Sequence, residues 1–592
     1  MAKLALLQSI RLRLALFTLG FLLLALLAER NGNLLKMDWL QAATPAMQFA
    51  WLVAGAALVT LGLGGLPVRV PGDRQSVWMR VALVAVLALA FVVRAWNLEE
   101  AVFMYMDEHG SVYTLVGQRI SNASLLVPSW NVTGWSQVYA YLQSFTVQIF
   151  GSNLTGLRAV SVVFGTLTVL ALYALATALF DRRTALLAAL WLATFPPHIQ
   201  FSRFGVPNIA DPLFGVLALY CLVRGWREGR MWFYALAGAA LGLTQYFYEG
   251  GRLLFPLLLA VLAALLLWRI PPFDHDFKRA RGGLLRLLLA ALIIAAPAHY
   301  ALITNDISPV MRFSEMNVAE SYGGLLVTNP MLWFISRVLP PFLHYVSLPD
   351  ASNIYYGGSF GLVLPYLLPL FFAGLLYAAR YIRQPTCALL LIWLSGAALG
   401  NGLIEQNVFT SRYVVVFPAL ALVIALGSVR IPSLWEGRPR ATRLNRLWYS
   451  LVVLLAASQI VYYFGFHLPL YNQQGRRYHD FGETIARARD FPPDTQIHVV
   501  AVSFTFSHWQ YDVLQSYYGM GLKYDVIEPW DLDENYLAGL DRSLPHAFFV
   551  IPEDAESIVF IRSTFPTSTP PRFSPYNVPI NRQYALIFLE PE

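Results

Sequence analysis

The chain has 592 residues, of which 57% are hydrophobic and only 13% charged, against roughly 25% charged in an ordinary soluble domain. That composition excludes a soluble globular protein and indicates a polytopic α-helical membrane protein. The formal net charge of +7 does not point to nucleic acid, because the basic residues are scattered between apolar runs and form no single patch or stripe.

In chain order, the apolar runs predict about thirteen transmembrane helices, near 12–28, 47–66, 78–96, 154–180, 184–197, 207–223, 231–247, 252–268, 284–303, 360–379, 386–403, 412–428 and 447–466. A helix needs roughly 20 residues to cross the hydrocarbon. The first follows Lys3, Arg11 and Arg13 but lacks a small-x-small cleavage site, so it reads as a retained span and not as a signal peptide. Cys221 and Cys387 both lie inside apolar runs, which argues against a disulfide framework or a thiolate zinc site. Lysine occurs only at positions 3, 36, 278 and 523, and this bias toward arginine suits a GC-rich bacterial genome and hence a bacterial cytoplasmic membrane.

With the N-terminus in the cytoplasm, the basic residues of alternate loops fall on one side. These are Arg69, Arg74 and Arg80; Arg182 and Arg183; Arg224, Arg227 and Arg230; Lys278, Arg279, Arg281 and Arg286; Arg380 and Arg383; and the stretch from Arg430 to Arg446. The opposite, external side receives the longer polar segments. Loop 97–153 holds two amphipathic candidates, 107–121 and 137–150, the second with Val138, Leu142, Phe145 and Ile149 on one helical face; both are expected to lie at the membrane surface. Loop 304–359 contains an apolar patch, 331–346, interrupted by Pro340-Pro341 and expected to dip into or lie flat on the membrane.

Past residue 470 the composition becomes that of a soluble domain. The runs "QIHVVAVSF", "KYDVIEP", "HAFFVIP" and "YALIFLEP" alternate with helical candidates at 509–518 and 555–565, an α/β pattern expected on the external side. The reading is therefore three parts: two additional N-terminal helices in 1–77, a transmembrane catalytic domain in 78–469, and a C-terminal external α/β domain in 470–592.

The chemistry concentrates at the external ends of the spans. Asp107-Glu108 follows the third run, and carboxylates at a membrane mouth are costly enough to be functional as a rule. Arg158, Ser202-Arg203, Asp211-Pro212 and Arg412-Tyr413 follow along the chain. Together these landmarks resemble the polyprenyl-phosphate-sugar-dependent glycosyltransferases of the GT-C class, in particular the group of protein O-mannosyltransferases and lipid A aminoarabinose transferases. The resemblance covers roughly residues 80 to 465. Two spans precede the one leading to Asp107-Glu108, where that group usually has one, and the C-terminal domain has no recognised counterpart, which leaves the acceptor open.

The resemblance implies a GT-C-like fold and transfer of a sugar from a polyprenyl-phosphate donor to a protein, lipid or cell-wall glycan on the external face. Such transfer needs a base for the acceptor hydroxyl and positive charge for the departing phosphate. Asp107 is the candidate general base, with Glu108 and Asp211 as further catalytic candidates. Arg252, Arg203 and Arg412 are the phosphate-binding candidates. Arg252 ranks first because Gly250-Gly251 would let a phosphate approach and Tyr246, Tyr248 and Glu249 add polar contacts, with Arg158 a further substrate contact. A divalent cation, magnesium or manganese, would suit Asp107, Glu108 and Asp211 if they converge.

Each signal has a plainer reading. Asp107-Glu108 could be a solvated acidic pair, Asp211 could cap a helix starting at Pro212, and the arginines could anchor helix ends by reaching the headgroups. His198, His299 and His344 read as interfacial or hydrogen-bonded core histidines, and the sequons at Asn122, Asn131 and Asn153 are short, frequent patterns. The alternatives in function are an oligosaccharide transferase or glycan ligase with a pyrophosphate-linked donor and, in another class, a transporter, lipid flippase or structural membrane subunit. Against transport, few ionisable residues fall at mid-membrane depth.

Overall fold

In hydrocarbon every backbone N–H and C=O needs a partner within the chain, so long leucine- and alanine-rich runs fold as helices. The computed structural model describes residues 10–66, 76–99, 108, 110–112, 115–116, 124–128, 136–267, 277–317, 319–352, 354–435, 441–474, 481–501, 508–575 and 583–592. Asp107, Asn122 and Asn131 lie outside the described residues, as does most of the helix expected at 107–121.

The membrane part contains α1 (Ile10–Gly32), α2 (Pro45–Gly64), α3 (Val77–Ala95), α4 (Val138–Phe150), α5 (Leu154–Leu179), α6 (Arg182–Thr194), α7 (Pro196–Phe201) and α8 (Ala210–Glu228). It continues through α9 (Met231–Leu243), α10 (Glu249–Leu267), α11 (Phe277–Thr304), α12 (Leu339–Val346), α13 (Leu368–Arg380), α14 (Pro385–Gly402), α15 (Phe417–Arg430) and α16 (Ala441–Tyr462). Local chemistry sets several starts. Thr44, Ser76, Asn153 and Asp181 each accept a hydrogen bond from a first-turn backbone N–H of the helix that follows, and Gly229 ends α8 in the left-handed region at φ 63°.

Among the described residues nine helices are long and apolar enough to span a membrane, so the chain is an integral membrane protein. Among the described residues each of the thirteen apolar runs contains a helix, but some runs join a helix to a different element, as at 360–367, where irregular chain and a 3-10 turn precede α13. The run at 184–197 is cut where α6 gives way to Pro196-Pro197 at the start of α7, and the run at 231–247 ends in a 3-10 turn, Thr244–Tyr246. Hydropathy continues across both breaks, which is why the sequence reads them as longer.

α15 is the central helix, with every residue from 417 to 428 buried. α5, α6, α8 and α13 surround it, and Trp191 on α6 donates to the Ser428 hydroxyl at 3.1 Å. The α1–α2 hairpin packs through Gly20 and Gly55; a Cβ on Gly20 would stand 2.7 Å from the Val59 nitrogen. The hairpin docks on α11, where the Tyr300 hydroxyl donates to Glu29 at 2.9 Å.

Two surface elements depart from expectation. α4 buries Val138, Tyr139, Gln143 and Val147, half-buries Leu142 and leaves Phe145 and Ile149 exposed, so the predicted apolar face is split between core and surface. Its inner face is chosen by polar partners: Gln143 donates to the carbonyls of Leu157 at 2.7 Å and Gly205 at 3.2 Å, and Tyr139 meets Ser161. The 331–346 patch is continuous helix, because Pro340-Pro341 fall in the first turn of α12 after a π-helical stretch, Phe334–Val338, where a missing N–H is tolerated.

The C-terminal region holds α17 (Phe481–Ala488), β1 (Gln496–Val500), α18 (His508–Tyr518), β2 (Tyr524–Ile527), α19 (Glu534–Ala538), β3 (His546–Val550), α20 (Ala555–Thr564) and β4 (Ala585–Leu589). The sheet order is β2-β1-β3-β4, with β1 parallel to β2 and β3, and β4 antiparallel to β3. The Tyr517 hydroxyl on α18 donates to the Asn153 carbonyl at 2.9 Å, joining this region to the start of α5.

Candidate functional site

Glu108 is fully buried and faces Arg158 in the first turns of α5. Arg158 Nε and Nη2 donate to the two carboxylate oxygens at 2.7 Å each, and the Gly205 N–H adds a third bond at 2.6 Å. Arg158 also donates to the Leu98 carbonyl at 2.6 Å and lies over the Phe204 ring at 5.1 Å. Glu108, expected as a catalytic carboxylate, and Arg158, expected as a substrate contact, thus face each other as a buried, hydrogen-bonded ion pair. Their joint effect is to tie Glu108 to the start of α5 and to the Gly205 backbone.

Asp211 does not cap its own helix. α8 starts at Ala210 with no side-chain cap, and the Asp211 carboxylate accepts instead from Tyr248 N–H at 3.1 Å and Gly251 N–H at 2.6 Å. These N–H groups belong to the start of α10, so Asp211 caps a helix 40 residues away in sequence. The glycine at 251 is required by that contact: a Cβ there would lie 2.4 Å from Asp211 Cγ. The bend expected to admit a phosphate is thus filled from behind by Asp211.

Arg203 is buried and donates to the carbonyls of Val93 at 3.3 Å, Arg94 at 3.4 Å, Trp96, and Asn97 at 2.9 Å. In this structure Arg203, one of the phosphate candidates, thus satisfies orphan carbonyls at the end of α3. Tyr246 is likewise turned inward, its hydroxyl donating to the Ile294 carbonyl of α11 at 2.6 Å.

The capped start of α10 stands between two cavities. One, of about 1020 Å³, runs between α9, α10 and α11. Its walls are leucine and alanine, with Gln245, Arg252 and His299 toward one end and Arg281 and Gly282 toward the other. From Gly282 to His299 along α11 is roughly 25 Å at 1.5 Å per residue, close to the depth of the hydrocarbon. Leu285, Leu288 and Leu292 on its wall are exposed, which opens it to lipid. His299 and Gln245 meet at 3.1 Å, and Arg252 Nη1 reaches the Pro309 carbonyl at 3.4 Å.

The second cavity, of about 320 Å³, is lined by Tyr248, Glu249, Phe313, Asn401, Arg412 and the apolar faces of α10 and α14. Glu249 accepts from the Phe313 N–H at 2.9 Å, and Arg412 is held by Gln406, at 2.8 Å to its carbonyl and 2.9 Å to its side chain.

Arg94, Gln245, His299 and Asp350 are polar groups whose importance the sequence did not reveal. Arg94 ties α3 to α6 and α7 through the carbonyls of Ala193 at 2.9 Å and Leu192 at 3.1 Å and the ring of His198 at 2.7 Å. Asp350 accepts from the N–H groups of Ser352 at 2.9 Å, Gly357 at 3.0 Å and Thr410 at 3.2 Å, and burial outweighs those bonds to push its carboxyl up to about 7. The signal for Gln245 was present in "QYFYEGGR", where it precedes the tyrosines already singled out.

Both oxygens of Glu108 and of Asp211, two of the three carboxylates expected to suit a cation, accept hydrogen bonds from protein N–H groups. Among the described residues no group of three or more His, Cys, Asp or Glu side chains is arranged for a metal.

Residues 136–313 match the family model described as dolichyl-phosphate-mannose-protein mannosyltransferase. Two curated relatives are undecaprenyl phosphate-alpha-4-amino-4-deoxy-L-arabinose arabinosyl transferases. The chain is 27% identical over 340 residues to that of Pseudomonas paraeruginosa, covering 55% of each chain. It is 34% identical over 340 residues, with the same coverage, to that of Pseudomonas aeruginosa strain UCBPP-PA14. The chain thus spans about half the length of the curated relatives it matches. Among solved structures it is similar to ArnT from Cupriavidus metallidurans bound to undecaprenyl phosphate, with 15% identity, 86% of this chain and 98% of that one covered, and a TM-score of 0.48. It is also similar to the Archaeoglobus fulgidus oligosaccharyltransferase, with 16% identity, 83% and 69% covered, and a TM-score of 0.48. The resemblance of this chain to the GT-C glycosyltransferases of the lipid A aminoarabinose transferase group stands on the family match and the curated relatives.

Proposed function

We propose that the chain is a membrane glycosyltransferase that moves a sugar from a polyprenyl-phosphate donor to a hydroxyl of a protein, lipid or cell-wall glycan on the external face. The observation that carries this reading is the lipid-open groove between α9, α10 and α11, apolar along its length with Arg252, Gln245 and His299 gathered toward one end. A polyprenyl chain matches its walls and a phosphate matches its head. The curated relatives, named as undecaprenyl-phosphate-dependent transferases, support the same donor class.

In the proposed reaction Asp107 takes the acceptor proton as the acceptor oxygen bonds to the anomeric carbon. The bond from that carbon to the phosphate oxygen breaks in the same displacement, so the anomeric centre inverts and the electron pair leaves on the lipid phosphate. Arg252 meets that phosphate, with Arg412 on the other side of α10 as the neighbouring cation. Arg–phosphate contacts of this kind are bidentate and directional. Asp211, Glu108 and Arg158 act through the backbone they hold.

The test is transfer or slow donor hydrolysis by protein in lipid nanodiscs, with labelled polyprenyl-phosphate and polyprenyl-pyrophosphate sugars and host membrane extract. Wild type should use a monophosphate donor, and Asp107→Asn should fold normally and lose turnover. Arg252→Ala should weaken donor use by about 2–5 kcal/mol if that contact is desolvated, a KM rise of about 30-fold or more. Inactivity of wild type toward every donor, or full activity of Asp107→Asn, would overturn the proposal. A chelator arm with magnesium or manganese restored asks in the same assay whether a cation takes part.

A further inference from the structure

Arg412 sits in a 3-10 turn, Thr410–Arg412, which a second 3-10 turn, Val414–Val416, joins to the central helix α15. It lines the smaller cavity, with Met316 Sδ at 3.1 Å from its Nη2. Two buried side chains hold this turn by adjacent peptide groups. Asp350 Oδ1 accepts from the Thr410 N–H at 3.2 Å, and Asn208 Nδ2 donates to the Ser411 carbonyl at 3.2 Å.

Asp350 is a fixed anchor, since it also accepts from the N–H groups of Ser352 at 2.9 Å and Gly357 at 3.0 Å. The Thr410 hydroxyl adds a further tie to His344. His344 Nδ1 faces the Leu348 carbonyl at 2.8 Å, which can only accept, so a neutral imidazole carries its hydrogen there and turns Nε2 as acceptor to the hydroxyl at 3.3 Å. Asn208, His344, Asp350, Thr410 and Ser411 are all buried, so water does not compete for these bonds.

Asn208 is the informative member. It is 1% exposed, and its Oδ1 is buried without a partner among the described residues. Turning the amide over would set that oxygen against the Ser411 carbonyl, so the donor role is dictated by the site. A buried acceptor left alone is costly, and an apolar side chain of the same shape would avoid the cost. Packing alone therefore does not explain an amide here. Asn208 also stands three residues before Asp211, the spacing that puts two side chains on one face of a helical turn. Asp211 holds the start of α10 through Tyr248 and Gly251. One short stretch thus holds the Arg412 turn with its first side chain and the Arg252 helix start with its last.

We propose that Asn208 and Asp350 are positioning residues for Arg412, and that Asn208 and Asp211 together set the separation of the two arginines that meet the donor phosphate. The inference rests on the assignment of Arg252 and Arg412 to that phosphate. Contacts between arginine and phosphate are directional, so a cation whose mount shifts loses them. Donors fixed before the phosphate leaves also need no rearrangement as its charge develops.

Donor KM and kcat in nanodiscs, measured with a labelled polyprenyl-phosphate sugar for wild type, Asn208→Leu, Arg412→Ala and the double variant, test this. Asn208→Leu keeps the shape and removes the amide, and should raise donor KM by about two- to tenfold, the worth of one hydrogen bond. A positioning residue acts through Arg412, so the same change should add little in the Arg412→Ala background, whereas a merely structural one multiplies in full. Asp350→Asn turns an amide N–H₂ toward backbone N–H groups that need an acceptor. It reaches the same turn without touching α8 and decides the cycle should Asn208→Leu fold poorly. Full additivity, or a wild-type KM in Asn208→Leu beside a raised KM in Arg412→Ala, would overturn this proposal alone. A wild-type KM in Arg412→Ala would overturn the part of Arg412 in the reaction and the proposal with it.

Discussion

Replacing Glu108 by Gln keeps the side chain's shape and removes the charge that Arg158 faces. Two bonds of 2.7 Å are at stake, and the new amide N–H₂ would point at a guanidinium that also only donates. Both side chains are 0% exposed, so water cannot take over either half of the pair. Breaking a buried pair from one side costs about 3–5 kcal/mol, because the other charge stays behind uncompensated. Removing both partners, as in Glu108→Gln with Arg158→Met, costs less than the two single changes together. What remains is the Leu98 carbonyl, which loses its donor at 2.6 Å and costs about 1–3 kcal/mol if unpaired. SDS titration in mixed micelles of wild type, both single variants and the double variant gives the cycle. We expect a coupling of at least about 2 kcal/mol, taken as the difference between those ranges. A Glu108→Gln protein within about 0.5 kcal/mol of wild type, the range of an ordinary surface change, would refute the reasoning, as would a double variant at the sum of the singles.

The clamp on α10 predicts a contrast between neighbouring glycines. Gly251→Ala drives a Cβ to 2.4 Å from Asp211 Cγ, whereas one on Gly250 meets the Tyr248 ring at 3.3 Å, so the two should separate in donor KM. Overpacking of about 1–3 kcal/mol corresponds to about fivefold or more for Gly251→Ala, and equal KM values would remove Asp211 from its positioning role. Asp350 predicts a pH dependence. Its folded-state value is raised to about 7, so the stability it contributes is present below the ordinary carboxylate range and declines as pH rises toward 7. Exchange at the amides of Ser352, Gly357 and Thr410 should quicken across that window beyond the chemical rate. Asp350→Asn should abolish the effect, and a wild-type profile without it would count against burial as the dominant cause.

The helices were legible because hydropathy is a local property of the chain, and each apolar run contains a helix among the described residues. Their ends were less so, since the breaks at Pro196 and Thr244 are set by packing inside runs that stay apolar throughout. The roles of the charged residues were least legible of all. Arg158, Arg203, Arg252 and Arg412 look alike in sequence, each an arginine near the end of an apolar run. Their partners separate them: Arg158 faces a carboxylate 50 residues away, and Arg203 meets carbonyls more than 100 residues away. Neither separation has a local signature. Arg252 and Arg412 are left lining cavities on the two sides of one helix start, and that start is held by Asp211 from behind. A single clamp therefore sets both faces at once. Weakening it should disturb Arg252 and Glu249 together, whereas replacing either side chain should disturb only its own cavity.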